Sequence, residues 1–425
     1  MLRGMAAIDP GKQRCFALEI VERLRAGGFE AYWAGGCVRD QLLGRTPKDY
    51  DVATNATPPQ IRGLFGPRRT RAVGAAFGVI TVVGPRGAGQ IEVATFRRDA
   101  AYSDGRHPDH VTFSSAREDA LRRDFTINGL FYDPLNERVI DFVDGQADLA
   151  ARLIRAIGEP RLRFQEDKLR LLRAVRFAAT FDFALEDGTF QAIRALAMEI
   201  RAVSAERIAG EMRRMLTDPH RDRAVRLLLE TGLAAAVLPE IVPSDPKQLA
   251  RLEESLAGLA RLVDPGFPLA LATLLHRQVG AAEAARIGAR WRLANKEIDE
   301  ACWLIDNQAA LAGAATRPWS SLQRLVASKR IDDLVAMGEA MAPAGPVAAA
   351  DLAWCRAVLA RPRHEIDPPP LLTGDDLIRH GVARGPAYRV LLERVRDAQL
   401  EGQIHTRHQA LALVDRLLAE GVGPQ

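Results

Sequence analysis

The 425-residue chain is 48% hydrophobic and 26% charged, an ordinary globular balance, and its length calls for about two to four packed units. A net charge of +4 permits a polyanionic partner without demanding one, and 6% aromatics leave little surface for stacking splayed bases. Four isolated cysteines without CxxC or paired histidines argue against disulfides and zinc. The absence of a leader-like apolar region, or of any uncharged apolar run of roughly 18 residues, argues against a membrane span, so a soluble cytoplasmic protein is expected.

In chain order, Phe16, Ile20 and Leu24 recur at helical spacing, and Gly27-Gly28 closes that helix. Ala31 to Ala34 reads as a strand, Gly35-Gly36 as a turn, Val38 to Leu43 as a helix stopped by Gly44, and Tyr50 to Ala53 as a second strand. Phe77 to Val83 and Ile91 to Phe96 flank a Gly-Pro-Arg-Gly turn and predict a hairpin; Val139 to Phe142 is a further strand. Beyond residue 150 strand signals fade. Helical spacing predicts helices over 161–180, 190–199, 206–216 and 221–231, with alanine- and leucine-rich helices to the end. Breaks fall near 239–246 and 361–370. These divide the chain into an α/β head (1–150), a helical neck (151–240), a helical body (241–360) and a helical tail (361–425).

The chemistry concentrates in the head. Gly35-Gly36-Cys37-Val38-Arg39-Asp40 is followed closely by Asp49-Tyr50-Asp51. Alternation along a strand lets Asp49 and Asp51 converge, and paired carboxylates repel unless a cation lies between them. Hard oxygen ligands select Mg²⁺, which takes one or two carboxylates plus phosphate oxygens. The glycines allow backbone N–H groups to approach phosphate, and Arg39 adds a charged fork. Glu92 is a candidate third carboxylate, because it alternates with Ile91 and Val93 where an unpaired charge is costly. Taken singly, each motif is as compatible with a turn, a solvated strand end or an outward-facing glutamate. Their order and close spacing favour metal-dependent phosphoryl chemistry.

The segment from Gly35 to Thr54 resembles the signature of the class II tRNA nucleotidyltransferase and bacterial poly(A) polymerase family, within the polymerase-beta-like superfamily. Two further segments agree: Arg122-Arg123-Asp124-Phe125-Thr126-Ile127-Asn128-Gly129, and the run from Glu166-Asp167 to Arg176-Phe177. The resemblance covers about residues 30–180 and implies an α+β fold: a nucleotidyltransferase head with a mixed sheet, followed by an all-helical neck, body and tail. It implies Asp49, Asp51 and Glu92 as catalytic carboxylates, with Asp49 and Asp51 holding Mg²⁺, and Gly35, Gly36, Arg39 and Arg123 steadying a triphosphate. Arg123 can bind phosphate, Asp124 can accept from a ribose hydroxyl, and Asn128 shares its face if the stretch is helical. Asp167, Arg170, Arg173 and Arg176 recur every three residues and drift slowly around one helical face. By resemblance, Asp167 and Arg170 present a protein template to the base of CTP or ATP, while Arg173 and Arg176 contact ATP or neutralise phosphate. The polar stretch 97–108 corresponds to the family's mobile loop; His107 and His110 lack the companions of a metal site.

The expected activity is template-independent addition of C, C and A to the 3′ end of tRNA. Poly(A) synthesis and CC-only or A-only addition are rivals within the class, and a catalytically silent RNA-binding protein is the rival outside it. A Rossmann dehydrogenase is disfavoured, since Gly35-Gly36 lacks the third glycine and the acidic residue downstream. Cys37 and Gly129 stand where the family often has alanine. His276 lies in Leu-His-Arg, not in a His-Asp hydrolase signature, and no basic extension favours long adenylate tails. No membrane or protein partner is implied.

Overall fold

Asp9 opens the first helix, α1 (Pro10–Ala26): its carboxylate accepts from Gly11 and Lys12 N–H, and Pro10 needs no donor of its own. α1 buries Phe16, Ile20 and Leu24, the face its spacing predicts, and hands over to Gly28 at φ +82°. The computed structural model describes residues 8–74, 78–99, 111–342, 344–383, 385 and 387–420. The chain divides into two units, Met1–Val242 and Pro243–Gln425, at the proline-rich break seen in the sequence.

The first unit continues with β1 (Ala31–Ala34), α2 (Gly36–Leu42), β2 (Asp51–Thr54), α3 (Pro58–Phe65), β3 (Thr70–Gly74), β4 (Val79–Val83) and β5 (Gln90–Thr95). A separate ribbon, β6 (Arg97–Asp99) with β7 (Val111–Phe113), precedes α4 (Ala116–Leu121) and a 3-10 turn, Thr126–Asn128. Then come β8 (Phe131–Asp133), β9 (Arg138–Ile140) and α5 (Gly145–Ala151). Seven strands form one sheet in the order β3-β4-β5-β2-β1-β8-β9. β2 and β5 run parallel; the other neighbours are antiparallel, so the sheet is mixed as expected.

The sequence-based boundaries need adjustment at functionally important points. β2 starts at Asp51 rather than Tyr50, because β1 turns away at Gly35 and Tyr50 packs instead on Trp33, ring centroids 4.9 Å apart. Asp49 therefore precedes the strand, and strand alternation does not bring it to Asp51. The predicted hairpin is present from Val79, while Phe77 lies outside the described residues, as do residues 100–110 with His107 and His110. The strand expected over 139–142 is the shorter β9, paired with β8, which sequence reading missed. Gly129, where alanine is usual in the family, is explained by packing: a Cβ there would lie 2.7 Å from Val143 and 3.1 Å from Ile157.

The single helix expected over 161–180 is two, α6 (Pro160–Glu166) and α7 (Leu169–Phe181), with Asp167 extended between them at φ −141°, ψ 103°. Asp167 behaves as a cap: its carboxylate accepts from Leu169 N–H and its carbonyl from Arg170 N–H. α8 (Asp187–Leu196), α9 (Ala205–Leu216) and α10 (Arg221–Glu230) follow, the last closed by Gly232 at φ +77°. One short parallel pair, Leu153–Ile154 with Ala184–Leu185, interrupts the helical region.

The second unit is helical in its described residues, beginning with Pro246–Arg261 and Phe267–Leu275. Its last segment has a core of its own, in which Leu377, Leu391, Val395, Ala410 and Val414 pack together. His276 is a satisfied core histidine: its Nδ1 meets the Thr273 carbonyl at 2.9 Å, and burial depresses its pKa to about 4. No helix is long and apolar enough to cross a membrane among the described residues, and the four cysteines are unpaired.

Candidate nucleotide site

Gly35 sits at φ +73°, ψ −123°, a region that side-chain-bearing residues avoid, and an added Cβ would lie 2.8 Å from the Arg123 guanidinium. Two independent constraints thus require glycine at the turn from β1 into α2. Gly35→Ala is expected to displace Arg123 and strain the turn. Thermal melts should show a loss of about 1–3 kcal/mol, and triphosphate binding measured by titration should weaken.

The parallel register pairs Asp51, the first residue of β2, with Glu92, the third of β5, so two carboxylates distant in sequence stand side by side. Burial raises the Asp51 pKa to about 6, Glu92 and Asp49 push in the same direction, and Arg123 opposes them. Asp51 is accessible along the pocket wall, yet protein crowds its carboxyl closely enough for these effects to dominate. Among the described residues no group of three or more His, Cys, Asp or Glu side chains is arranged to hold a metal ion by itself. All-oxygen donors with a few carboxylates suit a hard cation whose remaining ligands come from phosphate and water.

Beside Asp51 opens a cavity of about 630 Å³, lined by eight arginines (39, 122, 123, 170, 173, 176, 207 and 214) against three aspartates (51, 124 and 167). Gly35, Gly36, Asn128, Leu169 and Phe177 complete the lining. Every residue assigned to nucleotide binding from sequence therefore lines one pocket. Asp49 and Glu92 flank Asp51 outside the lining. The arginine excess of the lining favours an anion.

The arginines are held, not a loose stripe. Asp124, 8% exposed, accepts from Arg173 Nε and a terminal nitrogen at 2.9 and 2.6 Å, from Asn128 Nδ2 at 3.0 Å and from Phe125 N–H at 2.8 Å. With four donors its carboxylate is saturated, and Arg173 and Asn128 hold its pKa down to about 2 against the cost of burial. Arg39 gives its Nε and one terminal nitrogen to Asp40 and the other, at 2.6 Å, to Asn128 Oδ1. Its guanidinium also lies 4.4 Å from the Phe181 ring centroid. Arg170 pairs with Glu166 at 2.7 Å, Arg176 with buried Glu211 at 2.6 Å, and Asp167 with Arg207 at 2.9 Å. Phe177 lies beneath Arg39, Arg173 and Arg176 at 5.4, 5.2 and 4.1 Å, spacing three like charges.

Sequence reading missed several of these partners. Asp119, 1% exposed, clamps Arg122 at 2.7 Å and Arg123 at 3.0 Å, and the two guanidinium groups hold its pKa down despite burial. The signal was its spacing of three and four residues before the arginine pair. Arg207, Glu211 and Arg214 share one face of α9 at spacings of four and three, which was read only as a helix.

Residues 31–155 match the model of the Poly A polymerase head domain, and residues 182–244 match that of the probable RNA and SrmB-binding site of polymerase A. The mixed sheet and its arginine-lined pocket thus define a nucleotidyltransferase with a polymerase-beta-like head. The chain is 38% identical over 317 residues to the CCA-adding enzyme of Geobacillus thermodenitrificans, spanning 73% of this chain and 74% of that protein. It is 40% identical over 237 residues to poly(A) polymerase I of Haemophilus influenzae, spanning 53% and 51%. In structure it resembles the Bacillus stearothermophilus CCA-adding enzyme in complex with CTP, with a TM-score of 0.77 and 31% identity over 96% of this chain and 98% of that one. The chain belongs to the family of CCA-adding enzymes and bacterial poly(A) polymerases.

Proposed function

We propose that the protein is a CCA-adding tRNA nucleotidyltransferase that transfers CMP, CMP and AMP from CTP and ATP to the tRNA 3′ end, releasing pyrophosphate. The observation that carries this reading is one arginine-rich pocket lined by Asp51, which the strand register sets beside Glu92 just outside the lining, and by Asp167 and Arg170. The structural likeness to a CCA-adding enzyme over nearly the whole chain supports it.

Asp49 and Asp51, with Glu92 beside them, would hold Mg²⁺; when bound it supplies positive charge at the reacting phosphate. Arg123 and Arg122, clamped by Asp119, steady the triphosphate next to Gly35 and Gly36. Arg39 and Asp124 act mainly through what they hold, since their polar groups are already taken by Asp40, Asn128 and Arg173. Ribose recognition then falls to the Asn128 and Arg173 groups that Asp124 orients, rather than to Asp124 itself. Asp167 accepts from the exocyclic amino group of cytosine or adenine, and Arg170 donates to the adjoining ring acceptor. On its Watson–Crick edge neither uracil nor guanine offers that pattern, so an incorrect base leaves buried polar groups unpaired.

Residues 1–150 serve as catalytic head, 151–240 as neck, and 241–360 and 361–425 as a body and tail that contact tRNA by shape and backbone charge. A cytoplasmic location fits substrates that are cytoplasmic nucleotides and tRNA. The test is to supply Mg²⁺, CTP, ATP or both with tRNA ending before its CCA, and to resolve products at single-nucleotide length. Two C additions followed by one A and then arrest are expected. Long adenylate tails on arbitrary RNA would establish poly(A) synthesis instead.

A further inference from the structure

Arg163, on α6, is not itself a lining residue of the pocket, yet it bonds to two of the groups that hold Arg170, the Glu166 carboxylate and the Arg122 carbonyl. One terminal nitrogen donates to the Glu166 carboxylate at 2.8 Å and to the Arg122 carbonyl at 3.2 Å. The other donates to the Leu121 carbonyl at 2.8 Å, and Nε donates to the Ile157 carbonyl at 3.0 Å. Arg170 shares two of these groups, Glu166 at 2.7 Å and the Arg122 carbonyl at 3.2 Å, and also donates to the carbonyl of Arg163 itself at 3.1 Å. Leu121 and Arg122 are the end of α4, where helix carbonyls lack intrahelical partners and attract cations. The second residue there, Arg122, starts the pair clamped by Asp119.

We propose that Arg163 is a positioning residue for nucleotide selection: by bridging Glu166 to the end of α4 it sets where the Arg170 fork points. This rests on the reading of Arg170 as a base-selecting residue. The physical case is that Glu166 shares one oxygen, Oε2, between two guanidinium groups. Without Arg163 that carboxylate has one partner instead of two and can swing, and Arg170 swings with it. A planar fork that reads ring acceptors tolerates little rotation, because its donors must remain in the plane of the base. The consequence falls on discrimination between bases more than on the chemical step, since the Arg163 side chain lies outside the pocket lining.

The experiment measures kcat/KM for CTP, ATP, UTP and GTP on tRNA lacking its 3′ end, with wild type, Arg163→Met, Arg163→Lys, Arg170→Met and the double Met variant. Ratios between nucleotides are independent of the fraction of protein folded, and melting curves report stability separately. Arg163→Met is expected to narrow the preference for CTP and ATP over UTP and GTP by about tenfold. Arg163→Lys should recover part of it through Glu166, and the double variant should be no less selective than Arg170→Met alone. Equal loss with all four nucleotides, or unchanged ratios in both Arg163 variants, overturns the proposal. If Arg170→Met alone leaves the ratios intact, the base-selecting reading of Arg170 fails first and takes the proposal with it. If Arg170→Met abolishes selectivity while Arg163→Met keeps it, only the proposal fails.

Discussion

Asp51→Asn should lower nucleotide transfer by at least about 10³-fold while making the metal-free protein more stable at neutral pH. The two effects share one cause. The folded-state pKa of Asp51, about 6, lies above the ordinary carboxylate value, so the folded protein binds this proton more tightly than the unfolded chain does. Its contribution favours folding below pH 4 and is lost as pH rises through 4 to 6, after which the ionised group is a net cost. Water reaches the carboxyl through the pocket, so that cost is about 1 kcal/mol rather than the full value of the shift. Removing the charge should therefore raise the melting temperature at pH 7 in chelator and have no effect below pH 4. Added Mg²⁺ should raise the melting temperature of wild type but not of Asp51→Asn. A destabilised Asp51→Asn in chelator, or one that retains transfer, would remove Asp51 from its assigned role.

Asp124→Ala should be the most destabilising change at the site, at about 3–5 kcal/mol, because Arg173 loses a buried partner and Asn128 and the Phe125 N–H lose an acceptor. For a unit of this size the melting temperature should fall by about 10 °C. The pH dependence has the opposite sign to that of Asp51. The Asp124 pKa is depressed to about 2, so its contribution is fully present above pH 4 and is lost as pH falls from 4 toward 2. Urea melts at pH 7 and pH 3 should show the difference between wild type and Asp124→Ala shrinking at the lower pH. A constant difference would mean that the ion pair is not what stabilises this region. Nucleotide affinity should fall as well, because Arg173 and Asn128 both lose the group that aims them.

Much of this protein is written locally and can be read without tertiary information. Phe16, Ile20 and Leu24 face the core because a helix repeats every 3.6 residues, and Ala31 to Ala34 forms β1 within the predicted bounds. Gly35 was legible as a turn residue because glycine alone adopts its backbone conformation without strain. Glu92 stood out because a charge interrupts an apolar alternation. The arginines beyond Asp167 stood out because a three-residue repeat keeps them close to one helical face.

What the tertiary structure alone decided is pairing across sequence. Asp51 meets Glu92 because β2 and β5 run parallel in one register, which no local pattern specifies. Asp49 nears Asp51 from the preceding loop and not by strand alternation, and Asp167 reaches the pocket from a break between α6 and α7 and not from a helix face. The ion pairs that aim the pocket arginines join residues 49, 35 and 40 positions apart: Asp124 with Arg173, Arg176 with Glu211, and Asp167 with Arg207. A carboxylate buried beside a guanidinium is stable only where both are desolvated together, and which carboxylate meets which arginine depends on how the helices pack. The sequence by itself therefore named the candidate side chains, since residue type and local period mark them. Folding decided their aim, because each is held by a partner that the local sequence does not name.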